Sequence, residues 1–323
     1  MITEILDYKY ILDWDLDSLF VESNFVNDCQ PKFPLVVNTT SGLTSPTKIQ
    51  SDYYVHKKRR GKPSELRSCA RDSLVSFVAE KLNLSGYVIN SGAECSGSLY
   101  AIYTATALSY IHNCPALVFT ADNQLVDDLS VWAFTSLGAM HQETGRSFDS
   151  SSKGFRMGTA ACLFLVKHPE VKFSCPTIAT ISNYNFYTNP MLIANPGAGY
   201  DLIKNLVGIN YKEIDLWNAH ATGTPIGDKF EYDVFSNLIK GDNPIIGYKG
   251  HVGHCLAAAG GIEICLMLDD YKNNNLRPNI LFDTPIVSDP RIITVNTSFT
   301  YRKILKANFG FGGKNVVCQI NIQ

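Results

Sequence analysis

Between Ser96 and Ala121 the chain carries no Asp, Glu, Lys or Arg, a stretch that has to lie inside whatever structure forms. Within it, Leu99-Tyr100-Ala101-Ile102-Tyr103-Thr104-Ala105-Thr106-Ala107-Leu108 has no polar face, so a helix here is buried on every side. The stretch is long enough to span a bilayer, but it is rich in hydroxyls. His112-Asn113-Cys114-Pro115 also divides it into a helix and a short strand, Ala116-Leu117-Val118-Phe119-Thr120, which reads as protein core and not as a membrane span. Just ahead lies Ser91-Gly92-Ala93-Glu94-Cys95-Ser96-Gly97-Ser98. Cys95 thus sits at the positive end of a buried helix, which favours a thiolate by about 0.3–1 kcal/mol, and its small neighbours leave room beside it. The setting suits a nucleophile; an inert core cysteine fits it as well.

Composition narrows the classes. With 323 residues, 45% hydrophobic and 18% charged, the chain is long enough for one large domain or two halves sharing a core. A net charge of -2 argues against a nucleic-acid binder. Its one basic run, Lys57-Lys58-Arg59-Arg60, is either a solvated loop or a docking site for an acidic partner. The nine cysteines are scattered and lack C-x-x-C spacing, which excludes a disulfide framework or a zinc ribbon. His251 and His254 have ligand-like spacing, but no carboxylate or cysteine set completes a metal site. Glu4 and Asp7 stand where a signal peptide would be basic, so a cytoplasmic location is expected.

Strand-like runs alternate with helical patterns along the chain. Strands are expected at 33–37, 86–90, 116–120, 160–166, 177–181 and 214–218, and helices at 64–82, after Cys95, near 129–137 and near 202–207. This alternation predicts a layered α/β protein with halves at 1–170 and 171–323. No repeat is legible in the letters.

Three later segments carry chemistry. Trp217-Asn218-Ala219-His220-Ala221-Thr222-Gly223-Thr224-Pro225-Ile226-Gly227-Asp228 sets a histidine at a strand end before a hydroxyl-rich loop. Tyr248-Lys249-Gly250-His251-Val252-Gly253-His254-Cys255-Leu256-Ala257-Ala258-Ala259-Gly260-Gly261 sets another at the mouth of a small-residue helix. Ala307-Asn308-Phe309-Gly310-Phe311-Gly312-Gly313-Lys314-Asn315 is a glycine-rich turn before the last strand. Singly, each histidine fits a structural role.

Together with the Cys95 segment, they resemble the β-ketoacyl synthases of the elongating Cys-His-His type, in the right order and at family-like separations. Arg146-Ser147-Phe148-Asp149 through Gly158 is a weaker echo. The resemblance covers roughly residue 64 onward, and it implies the thiolase fold: two similar α/β halves in a five-layered αβαβα core, paired as a homodimer or with a related synthase subunit. It further implies decarboxylative condensation of an acyl thioester with a malonyl thioester in fatty acid, polyketide or related specialised metabolism, with phosphopantetheine-linked substrates, an acyl carrier protein partner and no bound cofactor. Cys95 would take the acyl group, His220 and His254 would bracket the enolate oxygen, and the Cys95 and Phe311 N–H groups would hold the oxyanion. Lys249 and Glu231 match a buried ion pair, Thr222 and Thr224 match hydroxyls on the pantetheine arm, and Phe311 matches a gating aromatic.

Four departures stand out. Gly158-Thr159-Ala160-Ala161 lacks the family's acidic residue, Glu94 stands where alanine is frequent, Ala221 replaces a usual glycine, and the first sixty residues have no clear counterpart. They leave open an acyltransferase without decarboxylation, or a partner subunit of another ketosynthase.

Overall fold

The computed structural model describes residues 1–20, 30–40, 42–43, 53–54, 62–123, 128–189, 206–239, 241–281 and 283–323. The basic run Lys57, Lys58, Arg59 and Arg60 lies outside them, as does most of the helix expected near 202–207.

Ten strands form one sheet, in the order β3-β2-β4-β5-β1-β6-β10-β9-β7-β8. In the first half these are β1 (Thr3–Ile11), β2 (Leu35–Asn38), β3 (Val88–Asn90), β4 (Ala116–Asp122) and β5 (Ala160–Lys167); in the second, β6 (Ala179–Thr188), β7 (Leu216–Asn218), β8 (Ile245–Ile246), β9 (Lys303–Phe309) and β10 (Lys314–Ile322). β2 runs parallel to β3 and β4, β4 antiparallel to β5, and β5 antiparallel to β1. The second half repeats this with β7 parallel to β8 and β9, β9 antiparallel to β10, and β10 antiparallel to β6. Each half also inserts one buried helix between its third and fourth strands: α3 (Gly97–His112) and α7 (Ala259–Lys272). The repeat invisible in the letters is explicit in the winding. Across its middle, β1 and β6 pair through Thr3–Ile181 to Ile5–Ala179.

Alternate residues of each strand face different cores. Val36, Val118 and Phe164 pack with Ile304, Val316 and Ile320 around Leu99, Ile102 and Ala105 of α3 and Ile262 and Leu266 of α7. The intervening residues Leu35, Val37, Leu117 and Phe119 turn outward onto Leu74 and Val78 of α2 (Asp72–Lys81). Trp217, Ile245 and Leu305 turn outward in the same way, onto Phe230, Val234 and Phe235 of α5 (Pro225–Phe235). A sheet covered on both faces accepts the continuous apolar runs seen in the sequence. The two halves of the sheet enclose α3 and α7 and carry α2 and α5 outside, so the layers read helix, half-sheet, helix pair, half-sheet, helix, which is the five-layered α/β arrangement.

Three expectations change. The first sixty residues are not an unmatched extension, because β1 and β2 occupy sheet positions equivalent to β6 and β7; Thr3 to Ile11 alternates too weakly to announce a strand by itself. The helix expected at 64–82 is two, α1 (Pro63–Cys69) and α2, broken where Ala70 turns extended. α1 buries none of its residues, so no apolar packing continues it into α2, and the two are joined by the Ser73 hydroxyl donating to Ser68 O at 2.9 Å. Finally, β6 runs to Thr188, well past the five residues expected. α3 ends as anticipated: Asn113 adopts φ 49°, a left-handed cap whose N–H bonds back to Ser109 and Tyr110. No helix among the described residues is long and apolar enough to cross a membrane.

Candidate active site

A cleft lined by residues of both halves opens over their junction. Cys95, His220, His254, Thr222, Thr224 and Phe311 all line it, so residues spread over more than two hundred positions converge as expected.

Cys95 lies in a 3-10 turn, Glu94–Ser96, leading into α3. Gly97 lets that turn seat on β2, since a Cβ there would lie 1.9 Å from Asn38 Nδ2. Glu94 takes φ 45°, an uncommon conformation for a residue with a side chain. Such an elbow points the next side chain outward. The thiol reaches the cleft between Met140, Phe155, Met157 and Leu256. Burial pushes it up to about 11, against opposing pulls from the Phe311 backbone N–H, which bonds the sulfur, and from the Lys249 charge. Burial therefore works against the thiolate that the helix terminus favours.

The glycine turn between β9 and β10 brings that Phe311 N–H into place. Gly310 donates to Lys314 O at 2.8 Å, and a Cβ on it would press within 2.5 Å of the same oxygen. The Phe311 ring is half exposed and stands edge-on to Phe134 of α4 (Asp128–Ser136), with centroids 5.5 Å apart.

His220 follows β7 directly. Its backbone N–H and that of Ala221 donate to the two oxygens of Glu231, each at 2.7 Å. Lys249, at the start of the short helix α6 (Lys249–Val252), donates to His220 O at 2.5 Å, to His220 Nδ1 at 3.2 Å and to the carboxylate of Glu263. An ammonium has no lone pair to offer, so Nδ1 of His220 is the acceptor and its proton sits on Nε2. Burial, followed by the charges of Lys249, His254 and Lys306, holds His220 well below the usual histidine range. His254 is likewise held neutral by burial and by Lys249. The two rings stand 5.7 Å apart and nearly perpendicular. His254 is fixed through its backbone, with its N–H on Arg156 O at 2.6 Å and its carbonyl accepting from Gly158 at 3.1 Å. Its Nδ1 is buried without a partner. Because an orphaned N–H is rarer than an orphaned acceptor, its proton too is assigned to Nε2.

The expected ion pair between Lys249 and Glu231 does not form. Glu231 spends both oxygens on backbone N–H groups, and Lys249 pairs with Glu263 of α7 instead. Burial pushes the Glu231 carboxyl up to about 7, its backbone donors and then the two lysines pulling the other way. Four contributors were not singled out in the sequence. Glu263 also binds Lys306 of β9, Asn308 Nδ2 lies 3.3 Å from His220 Nδ1, and Asp228 accepts from Phe148 N at 2.7 Å and Gly223 N at 3.0 Å. Glu263 and Lys306 were detectable: each is a lone charge in an otherwise apolar run, and such charges need partners.

The loop after His220 closes the other wall. Thr222 and Thr224 hydroxyls lie 2.9 Å apart, and Pro225 opens α5. Ser147 donates to Ala221 O at 2.6 Å, which ties the Arg146–Gly158 stretch to the His220 loop, as the Arg156 and Gly158 bonds tie it to His254. Thr159, in place of the family's acidic residue, donates to Asn123 Oδ1 at 3.2 Å.

Comparison with known proteins agrees with this geometry. Residues 28–171 match the N-terminal domain of β-ketoacyl synthases and residues 181–283 the C-terminal domain. Probable polyketide synthase 25 of Dictyostelium discoideum is 30% identical over 314 residues, an alignment covering 84% of this chain and 13% of that protein. The chain therefore spans about an eighth of that relative. A β-ketoacyl synthase crystal structure from Burkholderia phymatum STM815 superposes with TM-score 0.78 at 19% identity, covering 95% of this chain and 79% of that one. The oxazolomycin ketosynthase domain of Streptomyces albus JA3453 superposes at 0.73 and 18% identity, over 90% of this chain and 55% of that one. The two matched domains, in order, contain Cys95, His220, Lys249 and His254, and the chain belongs to the β-ketoacyl synthase family.

Proposed function

We propose that this chain catalyses the decarboxylative Claisen condensation of an acyl thioester with a malonyl thioester, in polyketide or fatty acid synthesis. The observation that carries the reading is the Lys249 contact that fixes the proton of His220 on Nε2, beside a second neutral histidine in the cleft of Cys95.

In the first half-reaction the Cys95 sulfur bonds the acyl carbonyl carbon. The carbonyl's bond to the donor sulfur breaks, and the Cys95 proton leaves with the departing thiol. With the thiol held at about 11, the proton moves as attack proceeds. In the second, the bond from the malonyl thioester to its carboxylate breaks, carbon dioxide departs, and the electron pair passes into an enolate. Nε2–H groups of His220 and His254 donate to its oxygen, where one such donor typically contributes about 2.7–4 kcal/mol. Neutral imidazoles suit this task, because they stabilise the enolate without protonating it. The enolate carbon then bonds the acyl-Cys95 carbonyl, the N–H groups of Cys95 and Phe311 hold the tetrahedral oxyanion, and its collapse breaks the carbon–sulfur bond and releases Cys95 as a thiolate, which takes a proton from solvent to restore the thiol.

Thr222 and Thr224 line the entrance as hydroxyl partners for a phosphopantetheine arm, and Phe311 swings at its mouth. Glu231 carries the His220 loop, and Lys249 orients the ring. An acyl carrier protein as donor, a second synthase-like chain as partner, a cytoplasmic setting and functional halves at 1–170 and 171–323 belong to the same proposal.

Incubation with an acyl thioester and a malonyl thioester should give a β-ketoacyl product and one equivalent of carbon dioxide, followed by mass spectrometry. Acyl transfer to another acceptor with no carbon dioxide released would replace this reading with the acyltransferase one.

A further inference from the structure

Lys306 is among the largest fully buried side chains of the protein, and the reaction outlined above leaves it without a role. Its ammonium binds one oxygen of Glu263 while Lys249 binds the other. Asn308, two residues further along β9, spans the same pair of groups, with Nδ2 3.4 Å from that Glu263 oxygen and 3.3 Å from His220 Nδ1. One carboxylate thus joins two cations in a site closed to water. A buried carboxylate is costly unless its oxygens are satisfied, and with Lys249 on one oxygen and only the 3.4 Å Asn308 contact on the other, Glu263 would draw Lys249 aside.

The repeat shows that this cation is specific to the second half. β2 sets Asn38 opposite Thr120, and β7 sets Asn218 opposite Lys306, so Thr120 and Lys306 hold equivalent places. Thr120 Oγ1 makes no hydrogen bond, and by the same register Thr40 stands in that half where His220 stands in the other.

We propose that Lys306 is a positioning residue for His220: by occupying the second oxygen of Glu263 it holds Lys249 on Nδ1, and with Lys249 it places two positive charges behind the ring. The consequence is a single tautomer, Nε2–H, that stays neutral as the pH falls. The other titratable groups around the ring come from every neighbouring element. Glu231 and Asp228 of α5 approach from the loop side, His254 and Cys95 share the cleft, and Glu263 stands between the lysines. The Lys306 charge acts on His220 in the expected direction, against its protonation.

The inference rests on the proposed reaction for its consequence but is tested without it. In protein labelled with carbon-13 histidine, His220 should show the Nε2–H tautomer and titrate well below the usual histidine range. In K306M its titration should move up by about one pH unit or more, the direction set by loss of a nearby cation. K306Q, which keeps a donor for Glu263, carries the same test should K306M fail to fold. In a carbon dioxide release assay the acid limb of the pH profile should move up in parallel with the His220 titration. An unchanged His220 titration in the folded variant overturns the proposal. If the titration moves while malonyl thioesters are never decarboxylated, the assignment of the reaction fails and the role of Lys306 stands.

Discussion

In the first half of the sheet, the turn before the buried helix places Cys95 against a cleft; in the second half, the equivalent turn, Leu256–Ala258, places Ala257 against Asp122, whose carboxylate accepts the Ala257 N–H at 2.7 Å. The local backbone is alike. Glu94 has φ 45° and Leu256 φ 40°, each one residue before the elbow. What differs is what surrounds it. Asn308 stands in the second half where Asp122 stands in the first, and His220 where Thr40 stands, by the same strand register. The residues between β8 and the second elbow also supply Lys249 and His254. On the proposed function, the fold presents the same helix terminus twice, uses one for covalent chemistry, seals the other, and spends the second half on neutral hydrogen-bond donors. A shared frame explains how nucleophile and donors face one cleft while belonging to separate halves, and why each should be removable without the other.

The largest test of that division is Cys95→Ala, which should leave no acyl adduct on the intact protein by mass spectrometry; an adduct formed at the native rate would place the nucleophile elsewhere. Next, His220→Ala or His254→Ala should slow carbon dioxide release by roughly 10²–10³ while Cys95 acylation falls much less, since the donors act on charge that develops later. Equal losses in both half-reactions would erase the distinction between the halves. Burial of the nucleophile gives the third test. With the thiol pushed up to about 11 by burial, its alkylation should accelerate roughly tenfold per pH unit between pH 7 and 10. A plateau near pH 8 would mean that the helix terminus prevails over desolvation.

Smaller effects probe the frame itself. Asp122→Ala unseats the sealed elbow and strips partners from Ala257 N and from the N–H and hydroxyl of Thr40, and it should cost about 1–3 kcal/mol in denaturant unfolding. Ala221 carries φ 30° where a glycine would be unstrained, so Ala221→Gly should be neutral or stabilising by up to about 1 kcal/mol, the relief of strain set against a looser unfolded chain.

Legibility in the sequence followed the physics of each region. The buried helix after Cys95 was plain because a run without charge has one place to go, and β4 and β5 were plain for the same reason. The histidine loops were found through their motifs, not through periodicity. β1 was missed because its polar residues, such as Asp7 and Lys9, interrupt any apolar pattern; its place is set by pairing with β5 and β6. The repeat was invisible because the two halves share winding and not letters: the loop ahead of Cys95 and the residues between α7 and β9 differ in length and content. The ion pair was misassigned for a related reason. Glu231 and Glu263 are both buried near Lys249, and only the positions of the His220 and Ala221 N–H groups decide which one is already satisfied.

The central claim is that enolate formation belongs to the second half and proceeds without the nucleophile. It is tested most directly by carbon dioxide release from a carboxyl-labelled malonyl thioester in Cys95→Ala. Release continuing within about threefold of the native rate, with acylation abolished, is the predicted result. Loss of release together with acylation would contradict it, and would make Cys95 part of the decarboxylating machinery.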